Sequence, residues 1–319
     1  MIPNTFTERE PYEAGFADVY EQEIYPYLGD IEKQRASANG KGWLYALATV
    51  VGGLLLGALL SAMFDSNGPT VVLGIVSTFV VAPIVYKEVT RNVKLEMYNF
   101  LGPILSDFLG GANIEASPQN GYLSEWDRIA ASGILPKYRY IEAEEGVTGS
   151  WRDVNYSAWE MTLVSGSGKN RINVFKGLVF QIDVPTDMPK TVFLKERGML
   201  TGLAEAFSSA RRGMERLEFP NANFEKTYEV YSEDVALAKE KLSPSIGEAL
   251  LEIARDQLGT ERYVGAAFEG HHMFIALTLK HDFLNLGRTS ASLVKFDEVL
   301  HQLLADLVLP RRIIDALLN

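Results

Sequence analysis

"SAMFDSNGPTVVL", residues 61–73, carries a polar break, Asp65 to Pro69, inside a block that is otherwise apolar. Before the break, "WLYALATVVGGLLLGALLSAMF" (Trp43 to Phe64) runs 22 residues without a charge; after it comes "TVVLGIVSTFVVAPIVY" (Thr70 to Tyr86). At about 1.5 Å of rise per residue the first segment makes ~33 Å of helix, enough to cross a hydrocarbon core of about 30 Å. Neither segment keeps the polar stripe expected of a soluble core helix. Asp65, Asn67, Gly68 and Pro69 favour a turn, and Pro69 suits the first position of a second helix. The break therefore reads as the tip of a transmembrane helical hairpin, 43–64 and 70–86.

Charge on either side orients the hairpin. Lys33, Arg35 and Lys41 precede it, Lys87, Arg91 and Lys94 follow it, and the tip holds no base. Positive residues stay on the cytoplasmic side, so both termini are expected in the cytoplasm. A cleaved signal peptide fits poorly, because the apolar run starts late behind an acidic leader and is too long for a signal core. Gly53 and Gly57 have GxxxG spacing, and Gly74 and Thr78 repeat a small-xxx-small pattern. Such residues let helix backbones approach closely in lipid, within the hairpin or between copies of the chain.

The 319 residues hold 41 acids and 30 bases, for a net charge of −11, with no cysteine. Residues 1–42 carry eight acids against four bases, and 43–86 carry one charge, Asp65. An acidic balance argues against nucleic acid, which needs clustered Lys and Arg. Without cysteine there is no disulfide framework, thiolate nucleophile or Cys-based zinc site.

Four regions follow. The acidic segment 1–42 spaces Phe16, Val19, Tyr20, Ile24, Tyr27, Leu28 and Ile31 as a partly helical amphipathic stretch, bent at Pro26 and packed on the cytoplasmic domain. Residues 43–86 are the hairpin. Residues 87–116 continue as a juxtamembrane helical stalk, broken at Gly102-Pro103, with Lys87, Arg91 and Lys94 near lipid phosphates. Residues 117–319 form a domain that opens with a short helix around Leu123, Trp126 and Ile129. Strand-like runs follow at 138–142, 154–164, 173–184, 191–195, 216–219 and 228–231, joined by turn-rich stretches such as "DVPTDMP". Short strands at hairpin spacing imply a mainly antiparallel sheet. Ser243-Pro244 starts a helix, 262–268 and 273–279 form a hairpin turning at 269–272, and a last amphipathic helix ends at Pro310. The fold class is α+β: a transmembrane hairpin plus a cytoplasmic domain with an antiparallel sheet and flanking C-terminal helices.

Two stretches carry a family resemblance. "VFKGLVFQIDVP" (174–185) and "NFEKTYEVYSEDVALAKEKLSPSIGEALLEI" (223–253), together with "ASGILPKYRYIEAEEGVTG" and the preceding hairpin, resemble an uncharacterised bacterial family. Its members join two membrane spans to a cytoplasmic domain of unknown function. Lys239, where the family suggests Arg, and the unusually acidic leader depart from it. The resemblance implies a bacterial inner-membrane protein and brings no catalytic residues.

Motif by motif, the chemistry is sparse. "GSGK" (166–169) lacks P-loop spacing and precedes a strand, so it reads as a hairpin turn. His271 and His272 sit in the expected turn and would diverge, and no metal-ligand spacing occurs. The carboxylates of "EAEEG" (142–146) read as solvated at a strand end. Lys176-Gly177 interrupts an apolar strand and suggests close backbone approach, with Lys176 outward beside a candidate groove or sheet edge for strand addition. No catalytic, cofactor or metal residue is expected. The reading is a non-enzymatic membrane-anchored interaction protein, with the bilayer and other proteins as partners, no nucleic acid, and homo-oligomerisation open. The alternatives are a small-molecule or lipid sensor with its pocket between sheet and last helix and, below that, a membrane-bound hydrolase.

Overall fold

The computed structural model describes residues 3–115, 123–195, 213–258, 264–278, 281–286 and 293–318. In chain order its main elements are α1 (Tyr25–Phe64), α2 (Gly68–Val76), α3 (Ala82–Phe108), β1 (Asn113–Glu115), α4 (Leu123–Ala131), β2 (Tyr140–Trp151), β3 (Val154–Ser165) and β4 (Ile172–Lys195). β5 (Glu215–Leu217), α5 (Ala222–Glu225), β6 (Tyr228–Ser232), α6 (Val235–Lys241), α7 (Ser245–Leu258), β7 (Val264–Leu277) and α8 (Phe296–Leu318) complete them. The chain divides into two compact units, residues 1–108 with 286–301, and residues 109–285 with 302–319.

The first unit is helical. α1 runs 40 residues without a break, and Asp65 in the left-handed conformation (φ 45°) closes it before the chain reverses. α2 and α3 are joined by a π-helical stretch, Ser77–Val81. The turn is tied by Ser61 and Thr70, whose hydroxyls are 2.8 Å apart, while the Thr70 amide donates to Ser61 Oγ. Gly53 and Gly57 face the returning helix. A Cβ on Gly57 would stand 2.7 Å from the Thr70 Cα, and one on Gly53 would stand 2.5 Å from Ser77 Oγ. A leucine at Gly57 is expected to force the helices apart and cost about 1–3 kcal/mol. Gly52→Leu, with open space around its Cβ, is the control. Thermal unfolding of the two variants in micelles checks this; equal behaviour would contradict the packing.

The N-terminal segment buries Phe16, Tyr20, Ile24 and Leu28 completely. Its α-helical pattern widens into a π turn at Tyr20–Ile24, and Pro26 takes the first turn of α1, where a missing N–H costs nothing. Phe16 lies edge-on to Phe108 at 4.9 Å, and Glu13, itself buried, meets His301 Nδ1 at 2.6 Å. The expected break at Gly102-Pro103 does not occur. The Pro103 ring points outward, and buried Leu101 and Leu105 on the opposite face carry α3 through it.

The second unit is α+β. Among the described residues seven strands form one antiparallel sheet in the order β1-β2-β3-β4-β6-β5, with β7 along the other side of β4. β4 is one 24-residue strand that absorbs "DVPTDMP" instead of breaking there. Pro185 and Pro189 fall where the ladder to β7 shifts, between Asp183, Met188 and Thr191, so no ladder bond is asked of them. β7 likewise runs straight through the expected turn at 269–272. Gly270 in the left-handed region (φ 61°) opposite Met188 bends it in step with β4. His271 and His272 are therefore strand residues. α8 also continues past Pro310, because Ile313 and Ile314 are buried beyond it and Asp315 accepts from Trp151 Nε1 at 2.9 Å.

One face of the sheet is built around Trp159, Met161, Phe175, Val179 and Phe274, covered by Trp126 and Ile129 of α4. A cluster of rings, Phe193, Phe219, Phe224, Tyr228 and Phe268, packs elsewhere on the unit at 4.8–6.1 Å between neighbours. β2 bulges between Ala143 and Gly146, and Gly146 lies flat on Trp159, where a Cβ would come within 2.0 Å of the indole.

Candidate functional site

β4 is flanked by β3 and β7, yet β7 stops opposite Leu178, leaving Lys176 and Gly177 at its end. At Gly177 a Cβ would sit 2.1 Å from the Leu277 carbonyl oxygen, so only glycine admits the last residue of β7. Lys176 is half-exposed and bridges two carboxylates, Asp282 at 2.9 Å and Glu160 at 3.4 Å. Glu160 is the one charge in β3 and is buried. Its Oε2 accepts the Phe283 amide at 2.7 Å. Burial pushes the Glu160 carboxyl up from its ordinary value, against the pull of that amide and of Lys176.

One residue further on, the Leu284 amide donates to Asp306 Oδ2 at 2.8 Å. Asp306, on α8, is buried among leucines. Its Oδ1 also accepts from Gln302 Nε2 at 2.9 Å and from His281 Nε2 at 2.7 Å. The hydrogen bond to Asp306 raises the His281 pKa above its ordinary 6.5, reinforced by the charges of Asp306, Glu160 and Asp282. Two consecutive amides are thus held by two buried carboxylates from different elements, one on the sheet and one on a helix.

Glu144, Glu145 and Glu160 bring carboxylate oxygens within 4.8 Å of one another beside the β2 bulge. Glu145 is buried rather than solvated at a strand end. Both oxygens of Glu160 are engaged, one by the Lys176 ammonium and one by the Phe283 amide. Of the three, Glu160 is the one that Lys176 meets.

The remaining sequence candidates are scattered. Gly74 faces Leu54, while Thr78 is exposed and Ser77 takes the place opposite Gly53. Lys33 pairs with Asp30, and Arg35 is buried against Glu32 at 2.6 Å. Lys41 and Lys87 are exposed at the ends of the apolar stretches. Arg91 and Lys94 lie in α3, with side chains outside the described set. "GSGK" is the β3–β4 turn, with Gly166 and Gly168 left-handed. His272 contacts Asp183 at 3.1 Å, and His271 contacts the Val184 carbonyl at 3.3 Å. A cleft of ≈ 710 Å³ opens among Leu217, Phe219, Lys239, Leu242 and Pro244. It lies beside β5 and α6, not between the sheet and the last helix.

Sequence reading missed the His281–Asp306–Glu160 group. Its signal was faint: lone carboxylates inside the apolar runs 156–164 and 303–310. A buried charge there demands a partner.

Residues 173–318 match a family described as a protein of unknown function, DUF3137. The match includes Lys176, Gly177, His281 and Asp306 and leaves out Glu160 and the helical hairpin. No curated protein matches the chain. Among solved structures, the crystal structure of the mycobacterial trehalose monomycolate transport factor A, TtfA, is similar at 12% identity, covering 68% of this chain and 94% of that one. The TM-score of that likeness is 0.35.

Proposed function

We propose that this chain is a bacterial inner-membrane protein that crosses the bilayer twice and presents its α+β unit, with both termini, on the cytoplasmic side as a non-enzymatic platform for other proteins. The observation that carries the anchoring is the outer surface of the hairpin. Trp43, Leu47, Leu55, Leu59, Met63 and Phe79 are each at least 60% exposed, on two helices long and apolar enough to span a bilayer. At about 25 cal/mol per Å², a belt of that kind is far more stable in hydrocarbon than in water. Exposed Lys41 and Lys87 at the same end support the cytoplasmic assignment of that end. The platform role rests on the lack of a catalytic motif in the sequence, and on buried carboxylates engaged by backbone amides rather than open to a substrate.

The chain has no cysteine, which makes a topology test direct. Single cysteines at Asn67 and Gln34 are expected to label oppositely with an impermeant maleimide: Asn67→Cys in intact cells, Gln34→Cys only after lysis. Alkaline carbonate should leave the protein in the pellet. A chain released to the supernatant as a monodisperse species would overturn the anchoring, and labelling of Gln34→Cys in intact cells would overturn the orientation.

The cleft beside β5 favours a second reading, a sensor of small molecules or lipids. Its apolar floor of Leu217, Phe219 and Leu242 has the character of a ligand site. A stoichiometric ligand retained through native mass spectrometry would support that reading, and consistently empty protein would count against it.

A further inference from the structure

The chain passes between its two units at three places: after Phe108, after Asn285 and after His301. On the α+β side all three crossings are fastened to one helix, α8. Leu109 offers its carbonyl to Arg311, the 281–285 turn is bonded to Asp306, and α8 re-enters the unit at Gln302. Where the chain leaves at 285 and returns at 302, two bonds from the turn, from His281 and Leu284, join its ends at a single carboxylate, Asp306, which also accepts from Gln302 on its own helix. Leu284 is held left-handed (φ 49°) and fully buried to deliver its amide there, a conformation that persists only when its surroundings enforce it.

We propose that the 281–285 turn and Asp306 form a proton-operated staple, closed when His281 is protonated and loosened when it is neutral. The charges around His281 set this behaviour. Asp306 comes from α8, Asp282 from the turn itself, Glu160 from β3 with Glu144 of β2 behind it, and Lys176 of β4 is the cation that answers Glu160 and Asp282. Among the described residues these carboxylates, with Glu145 beside Glu160, outnumber the Lys176 ammonium, and an imidazolium at His281 adds a second cation.

The pH dependence follows from which state binds the proton more tightly. His281 holds its proton above the ordinary value of 6.5 in the folded chain. Its contribution is complete below about 6.5 and is lost as pH rises through the folded pKa. Glu160 is shifted in the same direction, but from an ordinary value of 4.5, so substitution can separate the two groups.

Amide hydrogen exchange on the full chain in micelles, corrected for the chemical exchange rate, tests the staple. The Leu284 amide is expected to be several-fold better protected near pH 6 than near pH 8, below the ceiling of about a hundredfold that one linked proton sets over two pH units. H281Q should erase that difference at Leu284 while β3 and β4 stay protected, and E160Q, which removes one of the charges that raise His281, should move the transition to lower pH without abolishing it. In the wild-type chain, slow exchange of the His281 C2 hydrogen, followed by mass spectrometry, should give a midpoint above 6.5 that coincides with the amide change. A flat wild-type profile, a pH effect that survives H281Q or vanishes in E160Q, or a His281 midpoint at or below 6.5 would each overturn the proposal. This readout does not depend on whether the hairpin crosses a bilayer.

Discussion

Gly177→Val should destabilise the α+β unit by about 3 kcal/mol, lowering its thermal midpoint by roughly 6–12 °C for a domain of this size. The clash is with backbone: even a single added Cβ meets the Leu277 carbonyl oxygen at 2.1 Å and its carbon at 3.0 Å. Those atoms belong to the last rung between β7 and β4, so relief requires β7 to peel from the strand at the centre of the sheet. Phe175 Cζ, 3.0 Å away, closes a further way out. Trp126, Trp151 and Trp159 all lie in this unit, so intrinsic fluorescence follows the melt. A midpoint within a degree or so of the parent chain would show that the close approach is not maintained in solution.

Asp306→Ala is expected to be more damaging, at about 3–5 kcal/mol, the usual cost of removing one partner from a buried charged network. The substitution strands the Leu284 amide, Gln302 and His281 together, and Leu284 loses the bond that holds its left-handed backbone. Asp306→Asn keeps an acceptor of the same shape and should lose much less, because a neutral amide can still receive one of the three donors. Urea unfolding of both variants distinguishes a bond network from simple volume. Equal losses in the two would indicate that space, rather than hydrogen bonding, matters at this position.

Both residues stand in stretches whose sequence reads very differently. Gly177 announces itself, since a glycine inside "VFKGLVF" suggests a close approach whatever the partner. Asp306 offers only a carboxylate on an apolar helix, with Gln302 four residues before it as its one local partner among the described residues. Its partner His281 lies 25 positions away, and Phe283 lies 123 positions from Glu160. Pairings at that separation leave no periodic trace. The prolines mislead for a related reason. Pro103 and Pro310 weaken a helix locally by one bond, whereas Leu101, Leu105, Ile313 and Ile314 hold it through burial that only the folded chain supplies.

Sequence alone determined two things here: two helices of spanning length and apolarity around Asp65 to Pro69, and an α+β class with an antiparallel sheet. Each rests on local physics, the run of side chains that avoid water, the turn residues between them, and strands too closely spaced for crossovers. Tertiary structure decided the rest. It carried β4 and β7 through their prolines and glycine as continuous strands, and it gathered Lys176 and His281 around the buried carboxylates of Glu160 and Asp306. The reason is that a charge or a bent strand is tolerable only when its partner is present, and here the partners come from remote parts of the chain.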